Sequence, residues 1–193
     1  TYEALLSGAR RLFGERGYGA VTNKDLAAAA GVTTGALYHY VESKLDLYVA
    51  VHDDMQQRIY HRFQLAERSE ETFLGKLQAV LEAAQAMNEE DPSLAKFVGV
   101  VRADLRRDHE VRARLSTAVA ARERFFVDMV ECGVATGEVQ RSDVVLLQEF
   151  IRVILIGLTE GTSDSPERQR RAIDSIIRIM RGTLVSPVPP AMR

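Results

Sequence analysis

The segment TNKDLAAAAGVTTGALYHYVESK, residues 22–44, crowds several helix starts around one forced turn, and it leaves the local backbone few options. The Thr22 hydroxyl is placed to cap an orphan amide, with Asp25 three residues on to complete a capping box. Leu26 and the alanines through Ala30 continue that helix at low side-chain entropy, and their small volume lets a second helix approach. Gly31 supplies a left-handed stop, and Val32 plugs the corner that follows. Thr33 or Thr34 then caps a second short helix over residues 35–40, with Leu37 turned inward and Thr34, Gly35, Tyr38 and His39 on or near the opposite side. Ser43 and Asp46 repeat the capping logic and open the long helix that follows the motif.

Beyond this motif the fold class reads as all-α. No β-branched alternation is sustained, and proline is confined to positions 92, 166, 187, 189 and 190. A fourth helix is predicted to run to about Glu67 on the stripe Leu47, Val51, Met55, Ile59, Phe63. A fifth opens near Thr72 and ends near Asn88, and Asp91-Pro92 starts a sixth through Phe97, Val101 and Leu105. A seventh spans roughly Asp108 to Ala135, an eighth opens at Ser142 and a ninth at Ser165-Pro166. At 193 residues the chain is long enough for a small N-terminal unit, 1–47, and a larger helical unit, 48–185, followed by a proline-bearing tail, 186–193, expected to be disordered.

Composition narrows the function. The net charge of −2 is not that of a general polyanion binder, and in residues 1–47 the basic side chains are balanced by acidic ones. No apolar run reaches a membrane span and no secretion signal opens the chain, so a soluble, cytoplasmic protein without membrane contact is expected. The single cysteine, Cys132, reads as a small buried hydrophobe. A Gly-rich phosphate loop, a paired-histidine zinc motif and a nucleophile elbow are all missing, which argues against an enzyme and calls for no cofactor. His52, Asp53 and Asp54 point in three directions from one helix and suggest no metal.

Taken whole, Thr22, Leu26, Ala27, Ala30, Gly31, Val32, Thr33, Gly35, Leu37, Tyr38, Tyr40, Val41, Ser43 and Lys44 resemble the signature of the TetR family of bacterial transcriptional regulators, and Gly8 to Thr22 resembles that family's first helix. The resemblance implies an N-terminal three-helix helix-turn-helix domain that binds double-stranded DNA. It implies that Thr22, Tyr38, Tyr40 and Lys44 hold phosphates, and that Lys24, Thr34, Gly35, Ala36 and His39 face base edges or the adjoining backbone, with Thr33 among the DNA-facing set. Hydroxyl and ammonium donors suit phosphate oxygens, and a Gly-Ala pair permits close approach to bases. Tyr38 as a packing residue, and Lys44 as a solvated first-turn residue, are the alternatives.

The same resemblance implies a body that binds a small effector and dimerises. Candidate effector-lining residues are Phe73, Leu77, Leu81, Phe97, Val101, Phe125, Phe126 and Met129, an apolar set suited to a lipophilic molecule, with plain core packing as the alternative for each; His52, Gln56, Gln85, Asn88 and Asp128 are polar candidates to orient it. Arg102 joins them because apolar sequence surrounds it and a buried guanidinium needs an anion, either Asp104 or a ligand carboxylate; an exposed arginine is the alternative. A homodimer interface is expected from Leu147, Phe150, Ile151, Ile154, Leu158 and Gly161 on the eighth helix with Ile173, Ile176, Ile177 and Met180 on the ninth. A two-fold dimer reads a palindromic operator, and a repressor released by its effector is the function expected. The alternatives are a DNA-binding dimer without an effector, and a helical ligand-binding protein whose helix-turn-helix is only architectural.

Overall fold

The computed structural model describes residues 2–162 and 165–184, the side chains of 116–122 excepted, so the tail expected from Ser186 onward lies outside the described residues. Every regular element among them is helical: α1 (Tyr2–Arg16), α2 (Asn23–Ala29), α3 (Thr34–Leu37), α4 (Lys44–Glu67), α5 (Phe73–Glu90), α6 (Pro92–Arg107), α7 (His109–Ala135), α8 (Val144–Thr162) and α9 (Pro166–Met180). The starts follow the caps. Thr72, Asp91, Asp108 and Ser165 each accept a backbone N–H within the first turn, and Pro92 and Pro166 occupy first-turn positions where a missing N–H costs nothing. At Ser142 the expected helix start is replaced by a 3₁₀ turn over Arg141–Asp143 that leads into α8.

The second helix of the motif is shorter than its sequence suggests. After Leu37 the amides of His39 and Tyr40 donate to Ala36 and Leu37, three residues back, so the chain tightens into a 3₁₀-like turn instead of continuing to Tyr40.

Apolar side chains gather in two cores. The first joins α1, α2, α3 and the first half of α4 to Met87, Leu94, Phe97, Val101, Val111 and Leu115 from the body. An aromatic group sits at its centre: Tyr48 meets Phe13, Tyr18 and Phe97 edge-on with ring centroids 4.9, 5.1 and 5.3 Å apart. Backbones come close here. A Cβ on Gly14 of α1 would stand 3.2 Å from the Phe97 amide nitrogen of α6, and one on Gly8 would stand 3.1 Å from the Ala29 carbonyl oxygen of α2.

The second core packs Phe63, Phe73, Leu77, Val80 and Leu81 against Met129, Val130, Ile151, Leu158, Ile173 and Ile177. This corrects part of the expected dimer face. Ile151, Leu158, Ile173 and Ile177 are buried inside their own chain, and Leu147, Ile176 and Met180 pack against the same core. Apolar residues occur almost all the way round α8, so no single stripe in the sequence separates inward from outward. The outward one carries Leu146, Phe150 and Val153, which are 71, 41 and 59% exposed, continued by Gly157 and Gly161 with open space where a Cβ would stand. On α9 Ile179 is the exposed counterpart, whereas Ile154 is half-buried.

Candidate nucleic-acid interface and ligand cavity

The helix-turn-helix is built from local hydrogen bonds. Thr22 Oγ1 accepts the Asp25 amide at 3.2 Å, while Asp25 Oδ2 accepts both the Thr22 amide at 2.9 Å and the Thr22 hydroxyl at 2.6 Å. Those bonds from Thr22 hold the Asp25 carboxyl below its ordinary range. Gly31 takes φ +67°, and the Val32 amide reaches back to Ala27 to close the end of α2. Thr33, the residue that caps α3, accepts the Ala36 amide at 3.1 Å.

This frame leaves Thr22, Lys24, Thr33, Thr34, Gly35, Tyr38, His39 and Tyr40 exposed, with Ala36 partly covered. The arrangement presents hydroxyls, an imidazole and a bare glycine surface to solvent. Two contacts that the sequence did not announce fix its aromatics. Asn23 Nδ2 lies 2.7 Å from the Tyr38 hydroxyl, and Tyr2 of α1 stacks on Tyr40 with centroids 6.2 Å apart.

Lys44 is more tightly held than a phosphate clamp needs to be. Its Nζ donates to the carbonyls of Tyr18 at 2.9 Å and Val21 at 3.0 Å and lies 4.2 Å from the Tyr18 ring centroid. The ammonium therefore braces the turn between α1 and α2, and a phosphate contact would use what remains of its donors.

In the body, α4 to α9 enclose an open-sided cavity of about 490 Å³. Its walls include Ile59, Phe63, Leu81, Met87, Val98 and Leu155, and its polar lining includes Gln56, Asn88, Arg102 and Gln169. Glu123, Glu149 and Arg152 are exposed lining residues, with Arg152 donating to Glu149 at 2.5 Å. Of the residues expected to line an effector site, Leu81, Phe126, Gln56, Asn88 and Arg102 do so, whereas His52, Gln85 and Asp128 are not among the lining residues. Phe73, Leu77, Phe125 and Met129 build the second core beside the cavity, and Phe97 and Val101 belong to the first core. A helix buried on two sides gives both faces an apolar sequence, and Phe97 and Val101 lie on the side of α6 turned from the cavity.

Asp104 corrects a further expectation. It does not pair with Arg102, which has Glu160 at 3.9 Å. Asp104 is 8% exposed; its Oδ2 accepts the Tyr48 hydroxyl at 2.8 Å and the Tyr18 amide at 3.0 Å. Burial, reinforced by the Asp104 carboxylate, pushes the Tyr48 phenol up and keeps it a donor. At the other end of α6, Arg10 of α1 is buried, pairs with Asp91 and donates to Ser93 Oγ at 3.0 Å. α6 thus turns Leu94, Val98 and Arg102 toward the cavity and holds α1 and its exit turn through both ends. The interleaved charges around Asp104 hid this role in the sequence.

Among the described residues no cluster of His, Cys, Asp and Glu is arranged to hold a metal ion, and no helix is long and apolar enough to cross a membrane.

Comparison with known proteins agrees with this architecture. Residues 5–51 match the profile of bacterial regulatory proteins, tetR family. The HTH-type transcriptional repressor KstR2 of Mycolicibacterium smegmatis is 28% identical over 154 residues, covering 78% of this chain and 73% of its own. Among solved structures, the transcriptional regulator FadR of Bacillus subtilis in complex with stearoyl-CoA superposes with a TM-score of 0.75 at 19% identity, over 92% of this chain and 98% of that one. AibR in complex with isovaleryl coenzyme A and operator DNA gives 0.75 at 17% identity, over 92% and 96%. The motif at residues 22–44, the profile match over residues 5–51 and the shared helical fold make the chain similar to the TetR family of transcriptional regulators.

Proposed function

We propose that this regulator is a homodimeric repressor, released from a palindromic operator by a small lipophilic molecule bound in the α4 to α9 cavity. In this reading residues 1–47 bind double-stranded DNA and residues 48–185 bind effector and partner. The observation that carries it is α6, one face of which lines the cavity while its ends are bonded to α1 and to the turn before α2. A ligand that shifts α6 has a direct mechanical hold on the helix-turn-helix. Relatives of the same fold have been crystallised with acyl-coenzyme A molecules, which supports a lipophilic effector. To weaken operator binding 100-fold, the ligand must favour the DNA-incompetent state by about 2.7 kcal/mol.

The dimer is proposed to form through the exposed stripe Leu146, Phe150, Val153, Gly157 and Gly161 of α8 with Ile179 of α9, where the bare glycines admit a second helix closely. Selecting bound duplexes from a random pool at low salt tests the DNA-binding half. An enriched palindrome is expected, and enrichment of unpaired half-sites would overturn the two-fold dimer. On that duplex, Thr34 and His39 substitutions are expected to change which bases are preferred; a uniform loss across sequences would move both residues to phosphate contact. Release of the duplex by lipophiles, read by fluorescence anisotropy, tests the effector half.

A further inference from the structure

The cavity lining includes a buried amide oxygen without a hydrogen-bond partner, and it says what kind of molecule belongs there. Asn88 of α5 and Gln169 of α9 both line the cavity and are only 3 and 7% exposed. Asn88 Nδ2 donates to Gln169 Oε1 at 3.0 Å, while Asn88 Oδ1 has no partner. Buried amide oxygens are ordinarily satisfied, so this one marks a position that another group completes.

The chemistry is the same whichever way the two amides are turned. With Asn88 donating to Gln169, the pair still has the Asn88 oxygen as acceptor and the Gln169 NH₂ as donor. With both amides flipped, the pair has the Gln169 oxygen and the Asn88 NH₂ instead. Either way the bonded pair retains one free acceptor and one free donor. A carboxylate only accepts and would be repelled by the amide oxygen, an ether or ester lacks the donor, and an alkyl end satisfies neither. A hydroxyl or a primary carboxamide satisfies both. Phe63, Leu81, Met87 and Ile173 supply apolar wall to the same cavity.

We propose that the ligand of this cavity is an uncharged lipophile whose hydroxyl or primary carboxamide docks on the Asn88–Gln169 pair. This rests on the reading that the cavity takes a lipophilic effector, and it assigns that effector its polar group. Arg102, which lines the same cavity beside Glu160, is the competing anchor that an anionic ligand would choose.

The test uses the full chain and displacement of the neutral dye N-phenyl-1-naphthylamine by decan-1-ol, decyl methyl ether and decanoate. The alcohol is expected to compete about tenfold better than the ether, the gain of one well-placed hydrogen bond. An Asn88→Leu/Gln169→Leu double variant is expected to bind the dye and lose that preference. Equal competition by alcohol and ether, stronger competition by decanoate, or an alcohol preference that survives the double substitution would each overturn the assignment while leaving a lipophile-binding cavity. A dye that does not bind, or that no lipophile displaces, would instead remove the lipophilic-effector reading and this inference with it. Should the double variant not fold, the wild-type series alone decides.

Discussion

The two cores of this protein share a composition and differ in finish. In the first, Phe13, Tyr18, Tyr48 and Phe97 interlock, and the polar groups that reach it are matched: Arg10 with Asp91, Asp104 with Tyr48 and Tyr18, Lys44 with two carbonyls. In the second, Tyr60, Phe63, Phe125 and Phe126 form a comparable aromatic group, yet it borders a cavity of about 490 Å³ and a buried amide oxygen without a partner. Completeness of packing, not the kind of residue, separates a region that holds its shape from one built to receive something. Close-packed cores respond to the loss of a single side chain, whereas a wall beside empty space has less to lose.

The sharpest way to break this contrast is to truncate one aromatic in each core. Phe97→Ala is expected to cost about 3–5 kcal/mol in urea unfolding, because it opens a void in a filled interior. Phe126→Ala, at a half-buried site already next to a void, is expected to cost about 1 kcal/mol. Equal losses would mean that the second core is as tightly determined as the first.

Asp104→Ala comes next, with an expected loss of about 2–3 kcal/mol, since it strands the Tyr48 hydroxyl and the Tyr18 amide without their acceptor. Thermal unfolding checks it, and a neutral result would detach α6 from the helix-turn-helix. Lys44→Ala is expected to cost about 1–2 kcal/mol through the lost carbonyl bonds and also to weaken DNA binding uniformly across sequences. Full stability with weakened binding would return Lys44 to a purely phosphate-facing role.

The smallest effect concerns acid. The Ser43 hydroxyl and the Arg114 guanidinium hold the Asp46 carboxyl below its ordinary value, tying the start of α4 to α7. A depressed carboxyl contributes stability that is complete above its unfolded value near pH 4 and is lost as pH falls through the lower folded value. Arg114→Ala is therefore expected to lower stability slightly at pH 6 and by less at pH 2, as protonation removes the charge that the guanidinium answers. Urea midpoints at the two pH values, together with an unchanged wild-type slope, decide whether the tie acts through charge.

What could be read beforehand was whatever depends on neighbours in sequence. Thr22, Asp91, Asp108 and Ser165 cap where they stand because a cap needs only the next few residues, and Gly31 closes α2 for the same reason. What could not be read depends on which helix lies across the gap. Phe97 and Val98 are adjacent and equally apolar, yet one fills the first core and the other lines the cavity. Ile151 and Val153 differ by two positions on α8, and one is buried while the other faces solvent. Asp104 and Lys44 take their roles from Tyr18, distant in sequence from both, whose amide donates to one and whose carbonyl accepts from the other.

The contact between Gly14 and the Phe97 amide has a consequence for anyone who would re-engineer this protein. With 3.2 Å between a would-be Cβ and the α6 backbone, α1 is fitted to one particular neighbour and tolerates no generic substitute. Chimeras that exchange reading heads between related regulators at the α3–α4 junction would mate a foreign α1 with an α6 it was never shaped for. A working exchange has to carry the α1-facing side of α6, Phe97, Val101 and Asp104 included, along with the head.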